Sequence, residues 1–306
     1  MVKILLATEK PFTEDAVKQI STVADRAGYH LEVLAGYSSV DELKRAVADA
    51  DGMIVRSDLV GQDILDVAPK LKVVVRAGAG YDNIDTVAAG VHGVVVMNTP
   101  GQNANAVAEL AVGLAIYGIR GFFSGKTGGE LRGRTLGLHG YGYVARNVHR
   151  IARSMGMKVI VYTRYSKAQA VSEGIDVTGS LEELYASSDL VSIHVPARAE
   201  HIGSVSMPVL KYLKKDAIII NTARKEVINE ADLCAFMEER PDVKYLADVI
   251  PDCEAVFREK FAGRYFFTPK KIGAQTEEAN NKAGVAAAEQ IVSFFEKGDE
   301  TFRVNK

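Results

Sequence analysis

Short apolar runs alternate with longer amphipathic segments almost from one end of the chain to the other. The runs are Lys3–Ala7, Met53–Val55, Val73–Val75, Val94–Met97, Thr135–Leu138, Val159–Tyr162, Leu190–His194, Ala217–Asn221 and Tyr245–Ala247. Each is short and nearly continuously apolar, the pattern of a strand buried on both faces of a parallel sheet. Between many of them lie helical patterns such as Glu14–Ala27 and Val144–Met155. The alternation predicts an α/β fold with helices on both sides of parallel sheets. One segment breaks the rhythm. Asn103–Phe123 is apolar over most of its length and has no proline, which predicts one long buried helix. The Gly-rich stretch Gly121–Gly133 follows it, and a second long, Ala-rich helix is expected over Glu277–Phe295. A long helix crossing between two wound units is a natural hinge. We expect two doubly wound parallel-sheet domains, one of residues 1–101 and 283–306, the other of residues 102–282.

A length of 306 residues allows two domains of ordinary size. The 47% hydrophobic and 25% charged residues give enough apolar material for two cores. With 37 basic and 39 acidic residues the net charge is −2, so no polyanion-binding surface is announced and nucleic acid is not an expected partner. The two cysteines, Cys234 and Cys253, show no metal-ligand spacing. They argue against a zinc site or a disulfide scaffold and suit a reducing compartment. The apolar start of the chain is interrupted by Glu9, Lys10 and Pro11, too early for a signal-peptide core, and no stretch approaches a membrane span. We expect a soluble, cytoplasmic protein with no membrane partner.

The chemistry begins at Gly137-Leu138-His139-Gly140-Tyr141-Gly142-Tyr143-Val144-Ala145. Gly140 allows a tight turn, Gly142 lets the backbone approach a pyrophosphate, and Ala145 allows close helix–strand packing. The helix beginning near Tyr143 and Val144 offers free N–H groups and a positive end to phosphates. A strand before the loop, a helix after it and a second strand beyond give the motif the context of a dinucleotide site. About 20 residues further on, that pattern places an acidic residue on the ribose 2′-hydroxyl. Here the chain reads Tyr162-Thr163-Arg164-Tyr165-Ser166-Lys167, with no carboxylate. Thr163, Arg164, Ser166 and Lys167 would suit a 2′-phosphate, so NADP(H) is expected to be accepted alongside, or in preference to, NAD(H). The alternative is that Arg164 is solvated and NAD binds regardless.

Further motifs follow in fixed order: Val75-Arg76-Ala77-Gly78-Ala79-Gly80-Tyr81-Asp82, Asn98-Thr99-Pro100, Ala108-Glu109-Leu110, the glycine loop, His194-Val195-Pro196 and Asn221-Thr222-Ala223-Arg224. Together they resemble the D-isomer-specific 2-hydroxyacid dehydrogenases over the whole chain, and within that family the short phosphoglycerate dehydrogenases that end without regulatory domains. The resemblance implies a Rossmann nucleotide-binding domain and a flavodoxin-like substrate domain. It also implies Arg224 as the catalytic arginine holding the substrate carboxylate, joined there by the backbone of Gly78 and Ala79. Arg56 and Ser57 match the loop that holds a substrate phosphate, although Asp58 would repel that phosphate if it faced the site, or would simply pair with Arg56. His194, Pro196, Thr222 and Asp248 are placed around the cofactor. A homodimer is implied, built around the long helix and Gly121–Gly133.

The sequence departs from the family at its acid–base pair. The family histidine lies in a Thr-Pro-His-x-Gly-Ala context, whereas this chain has Thr268-Pro269-Lys270-Lys271-Ile272-Gly273-Ala274. Counting back from Gly-Ala selects Lys271; counting forward from Pro269 selects Lys270. We prefer Lys271. The family glutamate position holds Cys253, with Glu254 one residue later as a substitute. A lysine, with a reference pKa of ~10.4, is ready to donate a proton at neutral pH and must first lose one to act as a base. Oxidation of the hydroxy acid is therefore expected to be fastest at alkaline pH. His139, inside the glycine loop, is read as a residue that could be turned to solvent. The leading expectation is 3-phosphoglycerate oxidation at the head of serine synthesis. A hydroxypyruvate or glyoxylate reductase is the near alternative, and a dinucleotide-sensing corepressor-like protein the alternative of another class. No metal is expected.

Overall fold

The computed structural model describes residues 1–163 and 167–305. The chain divides into two compact units, Met1–Asn103 with Gln275–Lys306, and Ala104–Ala274. The return to the first unit thus falls at Gln275 and not at 283, because the last helix belongs whole to that unit.

The first unit runs β1 (Lys3–Thr8), α1 (Glu14–Arg26), β2 (His30–Ala35), α2 (Val40–Val47), β3 (Gly52–Val55), α3 (Gln62–Leu65), β4 (Val73–Arg76), α4 (Thr86–Val91) and β5 (Val95–Asn98). Among the described residues its strands form one parallel sheet in the order β2-β1-β3-β4-β5, the flavodoxin-like winding. Alternate residues of β1 serve opposite faces: Leu5 and Ala7 join the core under α2 to α4, while Ile4 and Leu6 join the core under α1 and the last helix. β2 escaped the sequence reading because, as an edge strand, it buries little of either face.

The second unit begins with α5 (Ala104–Ile119) and continues β6 (Thr135–His139), α6 (Tyr143–Ser154), β7 (Lys158–Tyr162), α7 (Lys167–Ser172), α8 (Leu181–Ser187) and β8 (Leu190–Ile193). It then runs α9 (Met207–Leu210), β9 (Ile218–Asn221), α10 (Glu230–Glu239), β10 (Lys244–Ala247), α11 (Glu254–Lys260) and β11 (Tyr265–Phe267). Its parallel sheet has the order β11-β10-β9-β8-β6-β7. An isolated parallel bridge, Val161 to Val177, continues beyond β7. This is the 3-2-1-4-5-6 winding of a dinucleotide-binding sheet with its third strand reduced to one bridge. The chain ends on α12 (Glu277–Lys297), capped by Thr276, which accepts from Ala279 N, and stopped by left-handed Gly298.

The long helix α5 is shorter than its apolar pattern suggested. Gly121, Phe122 and Phe123 all have positive φ, which no right-handed helix can continue through. The Tyr117 ring meets the edges of Phe122, Phe123 and Phe266, offsetting the strain of two left-handed aromatic residues. Among the described residues no helix is long and apolar enough to cross a membrane.

Candidate active site

In the second unit the strand order reverses between β6 and β8, and a parallel sheet opens a crevice at such a point. The glycine loop lies there. Gly140 has φ +96°, and a Cβ on it would meet Val195 Cγ1 at 2.9 Å and the His194 carbonyl oxygen at 3.0 Å, so the β6 and β8 exits touch. Gly142 caps α6 without a side-chain cap, and the space above it is open. Tyr143 is exposed at the first turn, Val144 half-buried beside it, and Ala145 fully buried against the sheet. Free N–H groups, open space and the helix's positive end form a cradle that fits a pyrophosphate. Thr222 Oγ1 is buried without a hydrogen-bond partner, and Pro196 is exposed after β8. A dinucleotide therefore fits the residues at this edge. Thr163 follows β7 and is half-buried; Arg164 and Ser166 lie outside the described residues.

At the end of β9, Asn221 shapes the following turn. Its Oδ1 accepts from Ala223 N at 2.9 Å and its Nδ2 donates to the Arg224 carbonyl at 3.0 Å, which locks an Asx turn and lifts Arg224 into the open. Arg224 Nη1 donates to the Ala223 carbonyl at 3.0 Å, and Lys271 Nζ donates to the same oxygen at 2.9 Å. One backbone oxygen thus gathers two cations from positions 47 residues apart in sequence. No carboxylate lies within ion-pair distance of Arg224 among the described residues. Among the described residues Lys270 makes no such contact.

Asp248 sets the position of Lys271. Fully buried, its Oδ1 accepts from Thr268 Oγ1 and Ile272 N, each at 2.9 Å, and its Oδ2 accepts from Gly273 N at 2.8 Å. Three donors from 268–273 wrap one carboxylate, and Lys271 sits on the loop so formed. Glu254 does not join this group. It opens α11, and its Oε1 accepts from Arg258 Nε and Nη2 one turn on, at 3.2 and 2.9 Å.

Both histidines are neutral at working pH. Burial, and then nearby His201, pushes His139 down to about 4; its ring is 2% exposed and edge-on to Tyr162 and Tyr185. It therefore does not face solvent, as its place in a loop had suggested. Burial, and then His139, pushes His194 down to about 3, and its Nε2 meets Ser192 Oγ at 2.9 Å.

The first unit holds a second set. Asp58 is turned inward, 3% exposed, accepting from Glu9 N at 2.6 Å, Tyr37 Oη at 2.9 Å and Arg56 N at 3.0 Å. It neither pairs with the Arg56 guanidinium nor faces outward. That guanidinium donates to the Lys10 and Pro11 carbonyls at 2.7 and 3.3 Å and stands over the Phe12 ring. Arg76, not singled out from the sequence, donates through Nε to the Arg56 carbonyl at 2.9 Å. A Cβ on Gly78, which has φ +149°, would stand 1.4 Å from Arg76 Nη1. Only glycine leaves room for this guanidinium. Burial lowers both arginines' pKa, and Arg56 lowers that of Arg76 further. Neither guanidinium makes an ion pair among the described residues. Ser57 and Ala79 are exposed beside them, and the Ala79 carbonyl accepts from Asn98 Nδ2 at 2.6 Å. The signal for Arg76 was its register: it ends β4 opposite Val55, next to Arg56.

Comparison with known proteins gives the chain a family. The profile of the "D-isomer specific 2-hydroxyacid dehydrogenase, NAD binding domain" matches residues 121–263. A D-3-phosphoglycerate dehydrogenase of Methanocaldococcus jannaschii is 35% identical over 95% of this chain, which spans 57% of that relative's length. A hydroxypyruvate reductase of Thermotoga maritima is 33% identical over 85% of this chain and 90% of its own. The NAD+-bound 3-phosphoglycerate dehydrogenase of Entamoeba histolytica superposes with a TM-score of 0.84, covering 100% of this chain and 99% of its own at 44% identity. Fold, glycine loop and relatives converge: the chain belongs to the D-isomer-specific 2-hydroxyacid dehydrogenases.

Proposed function

We propose that the chain transfers a hydride between a nicotinamide cofactor and a D-2-hydroxy acid, with 3-phosphoglycerate and 3-phosphohydroxypyruvate as the substrate pair of the first step of serine biosynthesis. The observation that carries the reading is the convergence of Arg224 and Lys271 on the Ala223 carbonyl. When bound, the nicotinamide supplies or accepts the hydride. The planar fork of Arg224 fits a carboxylate and the neighbouring keto oxygen, where negative charge develops in reduction. The Lys271 ammonium delivers the proton to that oxygen; in oxidation its neutral amine removes it. His139 and His194, neutral and buried or packed, take no part in this exchange.

Arg56 and Arg76 supply the phosphate preference. Two close, partly buried guanidinium groups that, among the described residues, hydrogen-bond to carbonyls and make no ion pair favour an anion between them, and a phosphate accepts bidentate donation from each. Ser57 adds an exposed hydroxyl. The second reading, a hydroxypyruvate or glyoxylate reductase, is favoured by the Thermotoga maritima relative. Following the nicotinamide absorbance with each ketoacid separates them: tenfold better catalysis with glyoxylate than with 3-phosphohydroxypyruvate overturns the first. The sensor reading fails if turnover is seen at all.

Thr163 and Arg164, with no carboxylate between Tyr162 and Lys167, favour acceptance of NADP(H) beside NAD(H). Rates far higher with NADH than with NADPH overturn it. A homodimer formed around the exposed Phe123, 66% accessible beside Tyr117, is read out by the mass in solution.

A further inference from the structure

Cys234 and Cys253 have no task in hydride transfer, and they pack against the same core cluster. Cys234 follows Glu230 by one turn of α10, so both occupy one face of that helix. The Glu230 carboxylate accepts from Asp252 N at 3.0 Å and Cys253 N at 2.8 Å, which docks the residue heading α11 onto that face. Lys225 Nζ holds Asp252 at 2.5 Å from the other side. The Cys253 thiol neighbours the Cys234 thiol and the Glu230 carboxylate, each of which influences it electrostatically. Both cysteines are free, half-buried, and packed against the same core cluster. Two neighbouring thiols on elements joined by backbone anchors, with partial access to solvent, can bond once their sulfurs approach.

We propose that Cys234 and Cys253 are a redox-active dithiol, oxidised by a peroxide to an intramolecular disulfide that ties α10 to the head of α11. One thiolate attacks the peroxide and becomes a sulfenic acid as the O–O bond breaks. The second sulfur displaces the sulfenic oxygen as water, so the pair loses two electrons and two protons while one hydrogen peroxide becomes two waters. Glu230 stands where it can take the Cys253 proton. Burial raises the pKa of both thiols, so the reaction is slow at neutral pH and quickens as pH rises. The bond crosses from α10 to the segment that follows Asp248, and closing that loop restricts the unfolded chain.

These are the only cysteines of the sequence, so a thiol count reports the pair directly. The full chain is treated with hydrogen peroxide at neutral and at alkaline pH, then assayed for free thiols, mass, migration without reductant and thermal midpoint. Joint loss of both thiols is expected, with a mass lower by two hydrogens, single-chain migration and a midpoint raised by a few degrees. Reduction with dithiothreitol reverses all four, and the alkaline reaction is faster. Cys234→Ser and Cys253→Ser should each instead gain oxygen or link two chains, without the rise in midpoint. Wild type that keeps both thiols at alkaline pH, or that loses them as the single variants do, overturns the proposal. No readout depends on substrate or cofactor, so failure here is separate from failure of the proposed activity.

Discussion

Two buried aspartates, one in each unit, do the same work by different routes. Asp58 accepts from Arg56 N two residues back and from Glu9 and Tyr37, and so fixes the strand exit that carries Arg56. Asp248 accepts from Thr268, Ile272 and Gly273, and so fixes a loop about one β-α-β unit further on that carries Lys271. In both, the carboxylate accepts from backbone and hydroxyl donors, and the cation it positions donates to a carbonyl. A buried carboxylate satisfied by neutral donors can build a cationic site without neutralising it. The difference lies in reach. Asp58 organises its own strand exit and nearby loops, whereas Asp248 organises the presentation of the proposed proton donor.

The largest effect should separate Lys271 from its neighbours. We expect Lys271→Ala to lower kcat by about 10²–10⁴-fold, while Lys270→Ala and Glu254→Gln leave it nearly unchanged. Turnover surviving in K271A moves the acid elsewhere and breaks the parallel. Next, Asp248→Ala strands two buried donors and one part-buried donor and should cost about 3 kcal/mol of stability, with kcat falling in the folded fraction. Asp58→Ala should cost a similar amount in denaturant unfolding but raise KM for the phosphorylated ketoacid, with kcat largely kept. The reverse pattern would show that the two aspartates do not serve different steps.

Smaller is Arg76→Gln, which should raise KM for 3-phosphohydroxypyruvate about 10–100-fold, the ~1.5–3 kcal/mol of a charged hydrogen bond, with no effect on glyoxylate. An equal effect on both ketoacids would remove Arg76 from the phosphate. Smallest is an acid effect at His139. Folded, it holds a pKa of about 4 because burial disfavours its charged form; unfolded, it takes up a proton below about 6.5. Stability present above pH 6.5 is therefore lost as pH falls toward 4, by about 2 kcal/mol at pH 5. His139→Gln should flatten that slope in chemical denaturation, and an unchanged slope would assign it to other groups.

Much of this was legible in the chain. Central strands such as Val73–Arg76 and Ile218–Asn221 are apolar on both faces and announce themselves, whereas the edge strands β2 and β11 bury too little to do so. The apolar pattern of α5 ran on past Ile119, because hydrophobicity does not report the left-handed turn at Gly121–Phe123. Gly78 and Arg224 were singled out from motif order, and Arg56 from its resemblance to a phosphate-holding loop. Arg76 and Asn221 were in plain view but unassigned, since a charge or amide after a strand looks solvated until its partner is known.

The sequence by itself determined the winding, the glycine loop and the residue types available for chemistry, because these follow from local periodicity and from what glycine alone permits. Tertiary structure decided that Arg224 and Lys271 donate to one carbonyl, that Asp58 turns inward, and that two cysteines distant in sequence pack against one cluster. Those outcomes depend on where each buried polar group finds its partner. For Asp248 and Lys271 that partner lies more than twenty residues away, beyond the reach of any local pattern.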